Sequence, residues 1–169
     1  MIAIWRKLID SAARAMATGL GTGYAPLAPG TAGSLLAAGL FWFLFPQQWW
    51  AHLVIVGACF LVGVAVSTRA EQWWGHDPGK VVIDEMAGMW LGLWLLPREA
   101  WAYLLALLVF RAFDIAKPLG IRQIQRAPAG WGVMLDDLLA GVYTNIVMQL
   151  FIIFLRPSAS QLLALLKVQ

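Results

Sequence analysis

The stretch Asp136-Asp137-Leu138-Leu139-Ala140-Gly141-Val142-Tyr143-Thr144-Asn145-Ile146-Val147-Met148-Gln149-Leu150-Phe151-Ile152-Ile153-Phe154-Leu155 sets two adjacent carboxylates against a long apolar run. No side chain from Leu138 to Leu155 is charged, and a run of this length and composition reads as a helix that crosses a bilayer. Four further apolar runs precede it, at Ser34 to Phe45, Trp49 to Val66, Met86 to Leu96 and Trp101 to Phe113. A full span takes about 20 helical residues, so the first, third and fourth runs must borrow flanking residues, cross a thinned bilayer or insert partway. The expected fold is all-α: a polytopic membrane helical bundle of about five hydrophobic helices, some short, forming a single membrane-embedded domain over residues 1–169.

Composition agrees with that setting. The chain is 61% hydrophobic and 12% charged, with a mean hydropathy of +0.73, whereas soluble domains carry roughly 25% charged residues. Several of the ten tryptophans, Trp42, Trp49, Trp50, Trp90 and Trp101 among them, stand near the ends of apolar runs and suit anchors at headgroup depth. The net charge of +3 is scattered, with no basic run. That argues against nucleic acid as a partner and for membrane phospholipids. At the N-terminus Arg6, Lys7 and Arg14 alternate with Ile2, Ile4, Trp5, Leu8 and Ile9. The apolar part is too short for a secretory signal and reads as an interfacial amphipathic helix.

The single Cys59 sits inside an apolar run, which excludes an internal disulfide and argues against cysteine-based catalysis. Of the two histidines, His52 lies within an apolar run and reads as structural, while His76 stands beside Asp77 in a polar loop. Neither supports a Ser-His-Asp triad or a phosphohistidine enzyme.

Phe45-Pro46-Gln47-Gln48 and Leu96-Pro97-Arg98-Glu99 read as tight connections that make hairpins of the first and second runs and of the third and fourth. With the N-terminus cytoplasmic, that side carries Arg6, Lys7, Arg14, Arg69, Lys80, Lys117, Arg122 and Arg126, against Arg98, Arg156 and Lys167 opposite. Eight against three obeys the positive-inside rule. The C-terminal segment 158–169 is then expected on the outer side. The same arrangement gathers Asp84-Glu85, Asp114 and Asp136-Asp137 at the cytoplasmic face. Carboxylates pressed against hydrocarbon need a cation, a hydrogen-bond shell or water to offset their desolvation.

Four constellations carry the candidate chemistry. Gly19 to Ser34 is rich in glycine and proline, and its backbone amides, with Thr31 or Ser34 capping the next helix, are candidates for holding a phosphate. Asp84 and Glu85 fall in the first turn of the third apolar helix, with Gly88 one turn later leaving room for a close neighbour. Arg111 and Asp114 share a helix face that Lys117 continues before Pro118 breaks it, a pattern suited either to a salt bridge or to the basic half of a phosphate site. Asp136 and Asp137 begin the last apolar helix, where two like charges are most natural beside a divalent cation. Oxygen donors with no neighbouring His or Cys favour magnesium or manganese.

Taken in order, Gly19-Leu20-Gly21-Thr22-Gly23, Pro29-Gly30-Thr31, Gly33-Ser34, Asp84-Glu85 with Gly88-Met89-Trp90, Phe110-Arg111, Asp114, Lys117-Pro118, Gly132-Val133-Met134 and Asp136-Asp137 with Ala140-Gly141 resemble the phosphatidylglycerophosphatase A family. Two positions depart from the family pattern: Gly120 stands where a second proline is frequent, and Ala129 replaces one glycine of a pair. The resemblance implies a Mg²⁺-dependent, multi-pass enzyme of the bacterial inner membrane with its active site facing the cytoplasm. It would hydrolyse phosphatidylglycerophosphate to phosphatidylglycerol and phosphate in phospholipid biosynthesis. In that reading Asp84, Glu85, Asp114, Asp136 and Asp137 are the catalytic and metal-binding carboxylates, and Arg111, Lys117, Thr31 and Ser34 hold the phosphate. Direct attack by water and a covalent aspartyl-phosphate are both compatible with these residues. Alternatives are a phosphatase of another lipid phosphate, such as phosphatidic acid, and a cation-coupled transporter. Transport would place charges near the midplane on broken helices rather than at helix ends on one face.

Overall fold

The computed structural model describes residues 1–46 and 48–155; Arg156, Lys167 and the segment 158–169 lie outside the described residues. The elements in chain order are α1 (Ile2–Ala17), a 3-10 turn (Thr22–Tyr24), α2 (Pro29–Leu44), α3 (Trp49–Trp74), α4 (Ile83–Gly92), α5 (Ala100–Ala116), α6 (Ile121–Ile124) and α7 (Gly130–Leu155). The all-helical expectation holds, and α2, α3, α4, α5 and α7 answer to the five apolar runs. Among the described residues only α3 and α7, 26 residues each and containing an 18-residue stretch of mean hydropathy 2.1, are long and apolar enough to cross a membrane. At 1.5 Å per residue each is about 39 Å long.

The short third run is not a lipid-facing span. α4 has ten residues, about 15 Å of helix, and most of its side chains are buried, Met89 and Ala87 completely. It forms the centre of the bundle, packed by α2, α3, α5 and α7. A β-carbon on Gly88 would strike the Asp137 carbonyl and the Phe110 ring, and one on Gly141 would strike the Gly88 backbone. Two facing glycines thus bring the α4 and α7 backbones together, as the space at Gly88 led one to expect. The polar residues within the α7 run find their purpose here. Asn145 donates to the carbonyls of Gly92 (3.2 Å) and Trp94 (2.6 Å), and Gln149 to Trp94 (3.3 Å). They satisfy acceptors that the early end of α4 would otherwise leave unpaired in hydrocarbon.

The core beside α4 is aromatic. Phe41, Phe45, Trp90, Tyr103 and Phe110 cluster together, and the buried Trp90 indole donates to the Ala37 carbonyl at 2.9 Å. α1 is amphipathic as expected: Ala13 and Ala17 are buried, whereas Ile4, Trp5, Leu8 and Ile9 remain exposed. It is fastened by an Arg69–Asp10 ion pair of 2.6 Å to α3 and by a hydrogen bond of 2.8 Å from Val82 N to Ala17 O.

Two helix starts differ from the sequence reading. α2 begins at Pro29, a residue pre-organised for a first helical position, so Thr31 and Ser34 lie inside the helix and neither caps it. α7 begins at Gly130 rather than at the paired aspartates, because Gly130 and Gly132 let the chain press onto α3 and onto the carbonyls of Gln125 and Ala127. The Gly130 amide donates to Thr68 Oγ1 at 3.0 Å. Asp136 and Asp137 therefore sit about two turns into the helix.

Just before α7, Ala129 has φ +53°, a left-handed conformation that costs a side-chain-bearing residue about 1–2 kcal/mol. Gly120, at φ +91°, has a backbone that proline cannot adopt. Ala129→Gly is expected to raise stability by roughly 1 kcal/mol, the relief being partly offset by the freer unfolded chain. An unchanged or lowered thermal midpoint in detergent would contradict this.

Candidate active site

A cavity of about 320 Å³ opens at one end of the bundle. It is lined by Ala28, Pro29 and Gly30 at the start of α2, by the loop Asp77-Pro78-Gly79, and by Asp84 and Glu85 in the first turn of α4. The end of α5 and its C-cap add Arg111, Asp114, Ile115 and Lys117, and α7 adds Asp136 and Asp137. Seven of the nine residues singled out from the sequence thus meet in one place, although they span more than fifty positions.

The carboxylates divide into groups. Asp84, Glu85 and Asp137 each present one oxygen such that all three lie within 4.8 Å of one another. The glycine contact between α4 and α7 makes this approach possible, since it lets backbones that carry like charges come close. Asp84 is 7% and Asp137 2% exposed, and Asp84 Oδ1 and Glu85 Oε2 are buried without a hydrogen-bond partner. Buried, unpaired carboxylate oxygens are costly, and three together are a ready-made oxygen cage for a hard cation.

The other two acids are paired with bases. Arg111 Nη1 lies 2.5 Å from Asp114 Oδ2, one turn on, and 3.5 Å from Glu85 Oε1. Lys117 Nζ pairs with Asp136 Oδ2. Lys117 is placed for this by a left-handed C-cap (φ +47°) that ends α5 before Pro118. Burial alone would lower its pKa, but the hydrogen bond to Asp136 and the charges of Asp136, Asp137 and Asp114 outweigh it and raise it above 10.5. The ammonium therefore stays charged through the neutral range. Its stabilising pairing is fully present below the ordinary lysine value and is lost only as the pH rises through the raised one.

The structure does not bring Thr31 or Ser34 to the cavity lining. The buried Ser34 hydroxyl donates at 2.8 Å to the Gly30 carbonyl of its own helix. Nor does Gly19-Leu20-Gly21-Thr22-Gly23 form an anion cradle. Gly19 and Gly23 pack on Lys80, Val82 and Met86 instead, so only the Ala28-Pro29-Gly30 end of that loop reaches the site. Asp77 was missed as a site residue. It lines the cavity at φ +47° and accepts from Gln125 Nε2 at 2.6 Å. The turn-forming His76-Asp77-Pro78-Gly79 sequence was its only signal.

Gly30 is a spatial requirement. A β-carbon there would collide with Glu85 Oε1 and come within 2.7 Å of Arg111 Nη1. Gly30→Ala is therefore expected to displace the guanidinium and lower kcat/KM about a hundredfold, the scale of a catalytic group misplaced by about 1 Å. Steady-state phosphate release checks this, and near-wild-type kinetics would contradict it.

A family model described as phosphatidylglycerophosphatase A matches residues 15–152. A Bacteroides thetaiotaomicron protein provisionally named phosphatidylinositol-3-phosphatase is 43% identical, over 77% of this chain and 87% of its own length. Proteins named phosphatidylglycerophosphatase A from Escherichia coli K12 and Haemophilus influenzae Rd are 41% and 37% identical, over 75% and 78% of this chain and 76% and 83% of theirs. No solved structure matches. The matched span holds every residue of the acidic cavity, and the chain belongs to the phosphatidylglycerophosphatase A family of lipid phosphatases.

Proposed function

We propose that this protein hydrolyses the terminal phosphomonoester of phosphatidylglycerophosphate to phosphatidylglycerol and phosphate, with Mg²⁺, at the cytoplasmic face of a bacterial inner membrane. The observation that carries the reading is the convergence of Asp84, Glu85 and Asp137 with Arg111 and Lys117 in one cavity at an end of an apolar bundle. The residues fit a hard divalent cation. Their donors are all carboxylate oxygens, and two of those oxygens are buried with no partner. Asp84, Glu85 and Asp137 would hold the ion, and when bound it would supply Lewis-acid stabilisation of charge on the phosphoryl oxygens.

The protein's own groups supply the rest. Arg111 and Lys117 bind the phosphate oxygens, with Asp114 and Asp136 fixing their direction. A water oxygen attacks phosphorus, the bond to the glycerol oxygen breaks, and a carboxylate of the cavity takes the water proton while the leaving oxygen gains one. The stereochemistry at phosphorus, read with a chiral isotopically labelled phosphate ester, distinguishes this from an aspartyl-phosphate. Inversion is expected for direct attack, and net retention would defeat it. The end-of-bundle location lets the headgroup enter from the interface while the acyl chains stay in lipid. The positive-inside asymmetry supports the cytoplasmic face.

The similarity to a protein named for phosphatidylinositol 3-phosphate favours one second reading, a different headgroup on the same phosphomonoester chemistry. Phosphate release from phosphatidylglycerophosphate, phosphatidylinositol 3-phosphate and phosphatidic acid, with and without Mg²⁺, tests both. The highest kcat/KM is expected for phosphatidylglycerophosphate, and a higher value for either other lipid would replace that substrate assignment. Asp136→Asn should reduce the Mg²⁺-dependent rate about a hundredfold, by freeing Lys117. Full activity would remove Asp136 from the site.

A further inference from the structure

A second cavity, of about 310 Å³, lies at the other end of the bundle and is lined by Phe41, Trp49, His52, Leu95, Leu96 and Arg98. The helices that frame the acidic cavity frame this one with their opposite ends. α2 starts at the acids and reaches here with Phe41, while α5 ends at the acids and begins just after Arg98. From Pro29 to Phe41 α2 rises about 18 Å, so the two cavities sit toward opposite ends of the bundle.

His52, structural by its sequence context, is 7% exposed; its ring nitrogens are buried beside the Pro46 carbonyl, and neither makes a well-formed hydrogen bond among the described residues. Its ring is held by Phe41 and Phe45, with centroids 4.6 and 5.4 Å away. In either tautomer the imidazole has an N–H to donate. Arg98 is anchored by one nitrogen, Nη2, which donates to the Phe45 carbonyl at 2.6 Å. It forms no ion pair among the described residues, and no acidic side chain lines the cavity. An exposed guanidinium in a cavity without carboxylates calls for an anion. The apolar walls Phe41, Leu95 and Leu96, with a half-exposed Trp49 at the rim, call for one attached to hydrocarbon.

We propose that this cavity binds the phosphate group of an anionic phospholipid in the leaflet opposite the active site, through Arg98, with His52 in the wall beside it. The assignment rests on the reading that the bundle spans a membrane, and not on the identity of the phosphatase substrate. Its test therefore does not use activity. The chain has only two histidines, so full-length protein labelled with ¹⁵N-histidine in detergent gives one signal from this cavity and one from His76, outside it. Short-chain phosphatidylglycerol is expected to shift the His52 resonance saturably, and Arg98→Gln to weaken that response about tenfold, as loss of a charge-assisted contact to phosphate should. Arg98 is exposed and remote from the acids, so the variant should keep the wild-type His76 resonance, which marks it as folded. Inorganic phosphate producing the same saturation would overturn the lipid as source, and an equal response to phosphatidylcholine would overturn the requirement for net negative charge. No His52 shift, or a shift unchanged in Arg98→Gln, would overturn the site itself.

Discussion

Asp137→Asn is expected to lower turnover about a thousandfold while leaving the protein at least as stable as the wild type in metal-free buffer. The two effects have one origin. Asp137 is 2% exposed, and its carboxylate shares a 4.8 Å neighbourhood with those of Asp84 and Glu85. In the absence of a cation the three repel one another in a poorly solvated site, so a neutral amide of the same shape relieves strain. With substrate present, the same change removes a donor oxygen where charge must be stabilised, a loss on the scale of about 10²–10³ in rate or more. Phosphate release and thermal unfolding, measured on the same preparation, separate the two. A variant both inactive and strongly destabilised would mean that Asp137 holds the fold rather than the chemistry.

Gly141→Leu should have the opposite signature, losing stability and activity together. The Gly141 α-carbon faces the Gly88 backbone so closely that even a β-carbon has no space, and the obstruction is main chain that cannot rotate away. The side chain would force α4 from α7 at a cost of about 3 kcal/mol, the upper end for overpacking, and would part Asp84 and Glu85 from Asp137. The milder Gly141→Ala should fall between leucine and wild type in both thermal midpoint and rate. A stable, inactive leucine variant would show that the helix contact and the acidic cluster are not coupled.

These two residues also show what the sequence reveals and what it conceals. Charged residues in a chain this apolar are so costly that Asp84, Glu85, Arg111, Asp114, Lys117, Asp136 and Asp137 identify themselves, and the alternation of apolar runs places them at one end of the bundle. Which acid pairs with which partner depends on helix rotation and on the depth of insertion. Apolar composition leaves both open, so the division into a carboxylate trio and two ion pairs emerged only in three dimensions. Helix starts were misplaced where glycine packing overrode local signals. Gly130 and Gly132 extend α7 two turns ahead of the aspartates, and Pro29 starts α2 before the hydroxyl residues read as caps. α4 looked like a short span because its residues are apolar, but that composition serves a buried centre. Its ten residues are surrounded by protein rather than lipid.

The central claim is that Asp84, Glu85 and Asp137 form the cation site of a lipid phosphatase. Its most direct test is phosphate release from phosphatidylglycerophosphate by chelator-treated protein as Mg²⁺ is titrated back, in the wild type and in Asp137→Asn. The wild type should be inactive without the ion and recover along a saturating curve, while the variant should stay near background at every Mg²⁺ concentration. Full activity of the chelated wild type, or a normal Mg²⁺ curve in Asp137→Asn, would contradict the claim.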